Sequence, residues 1–298
     1  MRVFVTGATG YIGRAVVKEL LNAGHSVLGL TRSDKGAESL LAAGAEVQRG
    51  SLEDPDSLKE GAVASDGVIH LAFDHDFSNY VGNCMKDRVA IEAIGTALEG
   101  TGRPFIITAG TLPLPLGQVC TEDFALELER PTAIRGVAEN IALSFVSKGV
   151  RVSVIRLPPT NHGPGDKGFI AAIVKVAQST GVSAYPGEGL NRWPAIHYLD
   201  TAKIFLLAFE QATAGSIFHA VAEEGIPMKD IAQAIGKKLN IPTGSKTGEE
   251  VAAHFGWLAL AIDADNPVSS AKTRRQLGWV PTHASLVEDI ENGCYSSD

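Results

Sequence analysis

Through the first half of the chain, short apolar runs rich in β-branched residues alternate with longer stretches of helical period. The runs are Arg2–Thr6, Ser26–Leu30, Glu46–Gln48, Gly67–Leu71, Pro104–Thr108 and Arg151–Arg156, and helices are predicted to begin near Tyr11, Lys35, Pro55, Asn79 and Thr132. Ile12, Ala15, Val16 and Leu20 mark the apolar stripe of the first helix, and Ala23-Gly24 stops it. Strands that alternate with helices in this way are parallel neighbours, so the predicted class is α/β, with a doubly wound sheet covered on both faces. Ligands of such sheets bind beyond the carboxyl ends of the strands.

After Arg156 the pattern loosens. Pro158-Pro159-Thr160-Asn161-His162-Gly163-Pro164-Gly165 reads as a loop, followed by a helix over Phe169 to Thr180. Strands are expected at Val182 to Tyr185, Ala195 to His197 and Ser216 to Ala220, and helices at Thr201 to Gln211, Met228 to Leu239, Glu249 to Phe255, Ser269 to Leu277 and Leu286 to Asn292. This divides the chain into a nucleotide domain, residues 1–157 completed by about 195–222, and a smaller interleaved domain. The latter, 158–194 and 223–298, is expected to close over the crevice and contact substrate.

Composition narrows the class. Of 298 residues, 45% are apolar and 20% charged, which excludes disorder, and the formal charge of −8 without a Lys/Arg cluster argues against a nucleic-acid partner. No apolar run reaches the roughly 18 residues of a membrane span. The three cysteines are widely spaced and lack CxxC or histidine partners, so neither a disulfide framework nor a metal site is expected, and a reducing cytoplasm is the compartment inferred. These features point to an enzyme or sensor of small molecules.

The strongest motif is Thr6-Gly7-Ala8-Thr9-Gly10-Tyr11-Ile12-Gly13, set between the first strand and first helix. Gly7 permits the tight turn, Gly10 lets backbone N–H groups reach a pyrophosphate, and Gly13 allows close helix packing. Thr9, Tyr11 and Ile12 complete the cradle at the helix amino terminus, which favours anions. This is a Rossmann-type fingerprint. The second strand ends in Thr31-Arg32-Ser33-Asp34-Lys35, where Arg32 and Ser33 suit the 2′-phosphate of NADP, and no acid stands early enough for NAD to be preferred.

These residues resemble the extended short-chain dehydrogenase/reductase superfamily, in its NAD-dependent epimerase/dehydratase branch. The likeness extends through Gly50-Ser51-Leu52-Glu53-Asp54, Val68-Ile69-His70-Leu71-Ala72, Arg156-Leu157-Pro158-Pro159, Ile196-His197-Tyr198-Leu199-Asp200-Thr201-Ala202 and Leu277-Gly278-Trp279-Val280-Pro281. It implies that Ser51 and Leu52 lie by the adenine, Ala72 and Phe73 line the cofactor cleft, and Pro158 and Thr160 approach the nicotinamide. A homodimer through the helices near Asn79 and Thr132 is also usual for the family.

One departure bears on chemistry. The family's reaction uses a YxxxK pair, but aligning Glu139 with the acid that often follows it puts Arg135 at the Lys position and Pro131 at that of Tyr. Arg135 can hold a ribose hydroxyl, yet a guanidinium is a poor proton donor. Alternatively, Arg135 and Glu139 form an exposed i,i+4 ion pair. Thr108 and Thr111 bracket the place of the family's hydroxyl and are candidates to orient a carbonyl. His75, flanked by Asp74 and Asp76, is the leading proton donor, on the expectation that the carboxylates raise its pKa. His162, Tyr185, Arg192, Trp193 and His197 are assigned to the substrate wall. The function expected is NADP-dependent reduction of a carbonyl, or oxidation of an alcohol, on a small, fairly apolar molecule with a nonstandard proton donor. The alternatives are an NADP(H) sensor without turnover and a redox-neutral isomerase, dehydratase or cyclase.

Overall fold

A computed structural model describes residues 1–295; the side chains of Phe77, Pro131 and Thr132 also lie outside the description. The strands in chain order are β1 (Arg2–Thr6), β2 (Ser26–Thr31), β3 (Glu46–Arg49), β4 (Gly67–His70), β5 (Pro104–Gly110), β6 (Arg151–Leu157), β7 (Thr160–His162), β8 (Ser183–Pro186), β9 (Arg192–His197), β10 (Ser216–His219), β11 (Glu223–Pro227) and β12 (Thr243–Lys246). The helices are α1 (Tyr11–Asn22), α2 (Asp34–Ala42), α3 (Pro55–Val63), α4 (Tyr80–Leu98), α5 (Val137–Ser144), α6 (Phe169–Thr180), α7 (Tyr198–Gln211), α8 (Met228–Leu239), α9 (Glu249–Phe255), α10 (Ala271–Leu277) and α11 (Leu286–Glu291).

Two compact units result. The first comprises Met1–Ala109, Leu128–Arg156 and Thr201–Phe218, and the second Gly110–Glu127, Leu157–Asp200 and His219–Asp298. Gly110–Glu127, expected in the nucleotide domain, thus falls in the second unit: Thr111 N–H donates to Leu157 O and Cys120 N–H to Pro267 O.

The first unit is built on a seven-stranded sheet of order β10-β6-β5-β4-β1-β2-β3. β1 pairs in parallel with β2 on one side and β4 on the other, so the strand order reverses between β1 and β4. Beyond the carboxyl ends of those two strands lies the crevice in which sheets of this topology take ligands. Phe4, Val68, Ile91, Ile94, Phe105 and Val152 are among the residues of its core. The helix expected from Thr132 begins instead as a 3-10 turn, Pro131–Gly136, and becomes α-helical only at Val137.

The second unit holds a three-stranded sheet, β11-β9-β7, and a two-stranded one, β12-β8. β11 and β12 have no counterpart in the sequence reading, and part of the Pro/Gly segment forms the short edge strand β7. Pro194 lies in the central strand β9, where it has no N–H to donate. β11 accommodates it by a register shift: Glu223 pairs with Ala195 and Ile226 with Trp193, leaving two residues opposite the proline. Trp193, Ile173, Ile231, Ile235, Phe255 and Leu286 pack in the core of this unit.

Candidate active site

The turn after β1 is fixed by backbone geometry. Gly7 has φ +67°, and a Cβ there would come within 2.7 Å of Ala72 N; one at Gly13 would come within 2.0 Å of Gly7 O. Gly10 donates its N–H to Gly7 O at 2.9 Å and serves as the N-cap of α1 in an extended conformation, with no side chain capping the helix. The N–H groups of a first helical turn have no partner within the helix. Such an end suits an anion, and Tyr11 and Ile12 are half-buried beside it.

A buried hydrogen-bond chain anchors this turn to the exit of β4. Thr6 Oγ1 accepts from the N–H groups of Leu71 and Ala72, each at 3.2 Å, so its proton goes to His70 Nδ1 at 2.8 Å. That leaves His70 Nε2–H to donate to Asp87 Oδ1 at 3.0 Å. The sequence reading missed Asp87 because it lies on α4, seventeen positions from its partner.

At the end of β2, Arg32 is exposed and forms no hydrogen bond or ion pair among the described residues, while Asp34 pairs with Arg49 of β3. Ser33 caps α2, accepting from Gly36 N–H at 3.1 Å, and its hydroxyl proton stays available. Ser51 Oγ similarly accepts from Glu53 N–H, and both Ser51 and Leu52 are half-buried. The Glu53 carboxyl is held below its ordinary range by its bond to Lys86, which also reaches Asp74. The donor set fits a nicotinamide dinucleotide: an uncapped helix, an open glycine turn and a guanidinium without an internal partner among the described residues.

Three side chains meet around Phe73, just beyond β4. The Arg135 guanidinium lies 3.9 Å from the Phe73 ring centroid, and His75 and Tyr80 approach the ring edge to face at 5.2 and 6.4 Å. Arg88 holds the turn that carries Arg135, donating to Ile134 O at 2.8 Å. The alternative ion pair with Glu139 does not form, because Glu139 is buried on Arg156, with bonds of 2.6 and 3.0 Å. Among the described residues the Arg135 guanidinium has neither a hydrogen-bond acceptor nor a carboxylate partner, and its Nε is buried. The expectation for His75 is reversed. Partial desolvation lowers its pKa, Arg135 adds to this, and the Phe73 carbonyl and Asp74 oppose it. Thr108 is also spent, donating to His70 O at 2.8 Å. Pro131, aligned with the family's Tyr, has its side chain outside the described residues.

In the second unit, the residues assigned to substrate have partners within the fold. Trp193 is wholly buried against Phe169, and Arg192 grips Asp265 with Nε and Nη2 at 2.9 and 2.8 Å. Thr111 is buried and donates to Asn266 Oδ1 at 2.7 Å; Thr160 donates to Pro194 O. Pro158 is buried, with its carbonyl accepting from Asn161. His162, also buried, bonds Asp289 at 2.6 Å, and His197 stacks on His283 at 4.8 Å. Tyr185 is half-buried with the Lys229 ammonium 5.8 Å from its ring. Among the described residues, His162 Nε2 and Trp193 Nε1 are buried with no hydrogen-bond partner.

Among the described residues, no helix is long and apolar enough to cross a membrane, and no group of three or more His, Cys, Asp or Glu side chains is arranged to hold a metal. Residues 3–92 match the sequence model of the NAD dependent epimerase/dehydratase family. The chain is 51% identical over 296 residues to an uncharacterized protein of Schizosaccharomyces pombe, covering 99% of this chain and 100% of that one. It is 25% identical to the 4-hydroxy-2-methyl-3-oxo-4-farnesyl-3,4-dihydroquinoline-1-oxide ketoreductase of Stigmatella aurantiaca, over 94% of this chain and 92% of the other. In fold it is similar to the UDP-glucose 4-epimerase of Thermotoga maritima, with a TM-score of 0.79, 18% identity and coverage of 99% and 98%. By sequence, fold and the geometry of the glycine turn, the chain belongs to the NAD dependent epimerase/dehydratase family, whose relatives here are oxidoreductases and epimerases.

Proposed function

We propose that the chain is an NADP-dependent oxidoreductase that reduces the carbonyl of a small, fairly apolar molecule. The observation that carries this reading is the contrast at the end of β2: Arg32 has no partner among the described residues, while the nearest acid, Asp34, is taken by Arg49. A planar guanidinium suits a 2′-phosphate, and an acid already paired is a poor ligand for a ribose 2′-hydroxyl. The glycine turn and the amino terminus of α1 hold the pyrophosphate, with Ser51 and Leu52 toward the adenine. The dinucleotide, when bound, supplies hydride chemistry at its nicotinamide. Arg135 offers several N–H donors to a ligand oxygen at the exit of β4. The ketoreductase relative, named for a farnesylated 3-oxo compound, supports a carbonyl substrate with apolar bulk.

NADPH and NADH titrations of the purified protein test the cofactor, and loss of NADPH absorbance over a panel of ketones and aldehydes tests the reaction. NADPH should bind tighter than NADH. Arg32→Ala should weaken NADPH by roughly 10- to 100-fold, the loss of charge-assisted hydrogen bonds worth about 1.5–3 kcal/mol, and leave NADH unchanged. Equal weakening of both would refute the NADP assignment, and tight NADPH binding without turnover across the panel would favour a sensor.

A further inference from the structure

The cluster around Phe73 contains a hydroxyl that the sequence reading passed over. Tyr80 opens α4, ten residues beyond His70 at the end of β4, and nothing in its sequence context marks it as catalytic. In the fold its ring meets Phe73 edge to face at 6.4 Å, while Arg135 lies over that same Phe73 ring at 3.9 Å. The cluster thus places a phenol and a guanidinium at one ring beside the carboxyl end of β4, the strand that flanks the point where the sheet order reverses.

The guanidinium supplies the second observation. Arg135 is half-buried, its Nε is fully so, and among the described residues it lies over the Phe73 face with no hydrogen-bond acceptor. A buried N–H of a charged group without an acceptor is costly. An oxygen of a bound ligand would relieve that cost. A carbonyl oxygen that accumulates negative charge during reduction is such an acceptor.

We propose that Tyr80 is the proton donor of this enzyme and that Arg135 holds the reacting oxygen beside it, an assignment that rests on the reductase reading above. The carbonyl carbon accepts hydride from the reduced nicotinamide dinucleotide, the C=O π pair moves onto oxygen, and that oxygen takes the phenolic proton as the Tyr80 O–H bond breaks. The tyrosinate left behind is neutralised by a proton from solvent.

The electrostatics are consistent with this direction. Burial pushes the Tyr80 phenol up to about 12, with the Arg135 charge opposing the rise. The phenol therefore keeps its proton throughout the neutral range. It is still far more acidic than an alcohol, whose alkoxide is a base comparable with hydroxide, so transfer to a nascent alkoxide runs downhill. A hydrogen bond between the Tyr80 and Cys84 side chains, one helical turn apart, orients the hydroxyl. His75, lowered by desolvation and by Arg135, does not compete as a proton reservoir at neutral pH and stands as a positioning residue.

The experiment compares wild type with Tyr80→Phe, Arg135→Ala and Arg135→Lys in NADPH affinity, melting temperature, kcat and KM on the best ketone of the panel. Tyr80→Phe should lower kcat by about 10²–10⁴-fold, the usual contribution of a general acid, with NADPH affinity and melting temperature unchanged. Arg135→Ala should lower kcat/KM, and Arg135→Lys should recover part of the loss. If Tyr80→Phe turns over like wild type, the proposal is overturned and the reductase reading stands. If Tyr80→Phe instead loses NADPH affinity, Tyr80 holds cofactor rather than donating a proton, and the proposal is equally overturned. A wild-type protein that binds NADPH but reduces nothing on the panel overturns both.

Discussion

The turn after β1 and the histidine-rich end of β9 were both selected from sequence for polar or small residues at loop positions, yet the fold treats them in opposite ways. In the turn, functional groups stay open: α1 has no side-chain cap at Gly10, and Arg32 at the neighbouring strand end has no internal partner among the described residues. At β9 the groups close on one another. His162 bonds Asp289, His197 stacks on His283, Asp200 accepts from Thr282 and His283, and Arg192 is held by Asp265. A polar residue is available to a ligand only when the protein itself has not satisfied it. Arg135 and Arg156 repeat the contrast within a single unit, one over an aromatic face without an acceptor and the other buried on Glu139.

That contrast can be broken most severely at Gly13. A Cβ there would sit 2.0 Å from Gly7 O, backbone that cannot yield cheaply, so Gly13→Ala should cut nucleotide affinity by roughly 100-fold, or about 2.8 kcal/mol. Isothermal titration with NADPH measures it, and near-native affinity would show that the turn does not set the site. A smaller effect, in a different observable, is expected from Asp289→Ala. Deleting the acceptor of a buried imidazole bond should cost about 1–3 kcal/mol of stability in a denaturant titration while NADPH affinity is unchanged. A fall in affinity as large as that of Gly13→Ala would erase the distinction between the two regions.

The smallest effect concerns pH. Desolvation, with the charges of His162 and His283, lowers the pKa of His197, against the opposing pull of Asp289 and Asp200. An unfolded histidine takes up its proton near about pH 6.5, where folded His197 still refuses it. The unfolded state then binds more protons, so this contribution to stability is present above that pH and is lost as pH falls toward the lower folded value. Melting temperatures measured on acidification should fall, and His197→Gln should flatten the slope. His75 carries the same sign, so His75→Gln should flatten it further, and a slope insensitive to both would reject these assignments.

Much of the first unit was legible because its signals are local. The runs from Arg2 to Thr6 and Ser26 to Leu30 alternate with an amphipathic helix, and the glycines of the turn are adjacent in sequence and answer to backbone sterics alone. Other elements depended on distant partners. β7 forms in a Pro/Gly stretch because β9 offers it an edge, and β11 accommodates Pro194 by a register shift that no local pattern announces. Tyr80 escaped notice because it is related to Arg135 through Phe73 across separate segments of chain.

The sequence by itself determined the alternation of strand and helix, the glycine turn and the basic end of β2, since each is a matter of period, spacing or residue type. The tertiary structure alone decided which polar groups remain unsatisfied. It buried Glu139 on Arg156, lowered the pKa of His75 where adjacent carboxylates had suggested a rise, spent Thr108 and Thr111 on internal bonds, and left Arg135 facing Tyr80's ring partner without an acceptor. The physical reason is that satisfaction and desolvation depend on neighbours brought together from distant parts of the chain, and their proximity is not encoded in any local window.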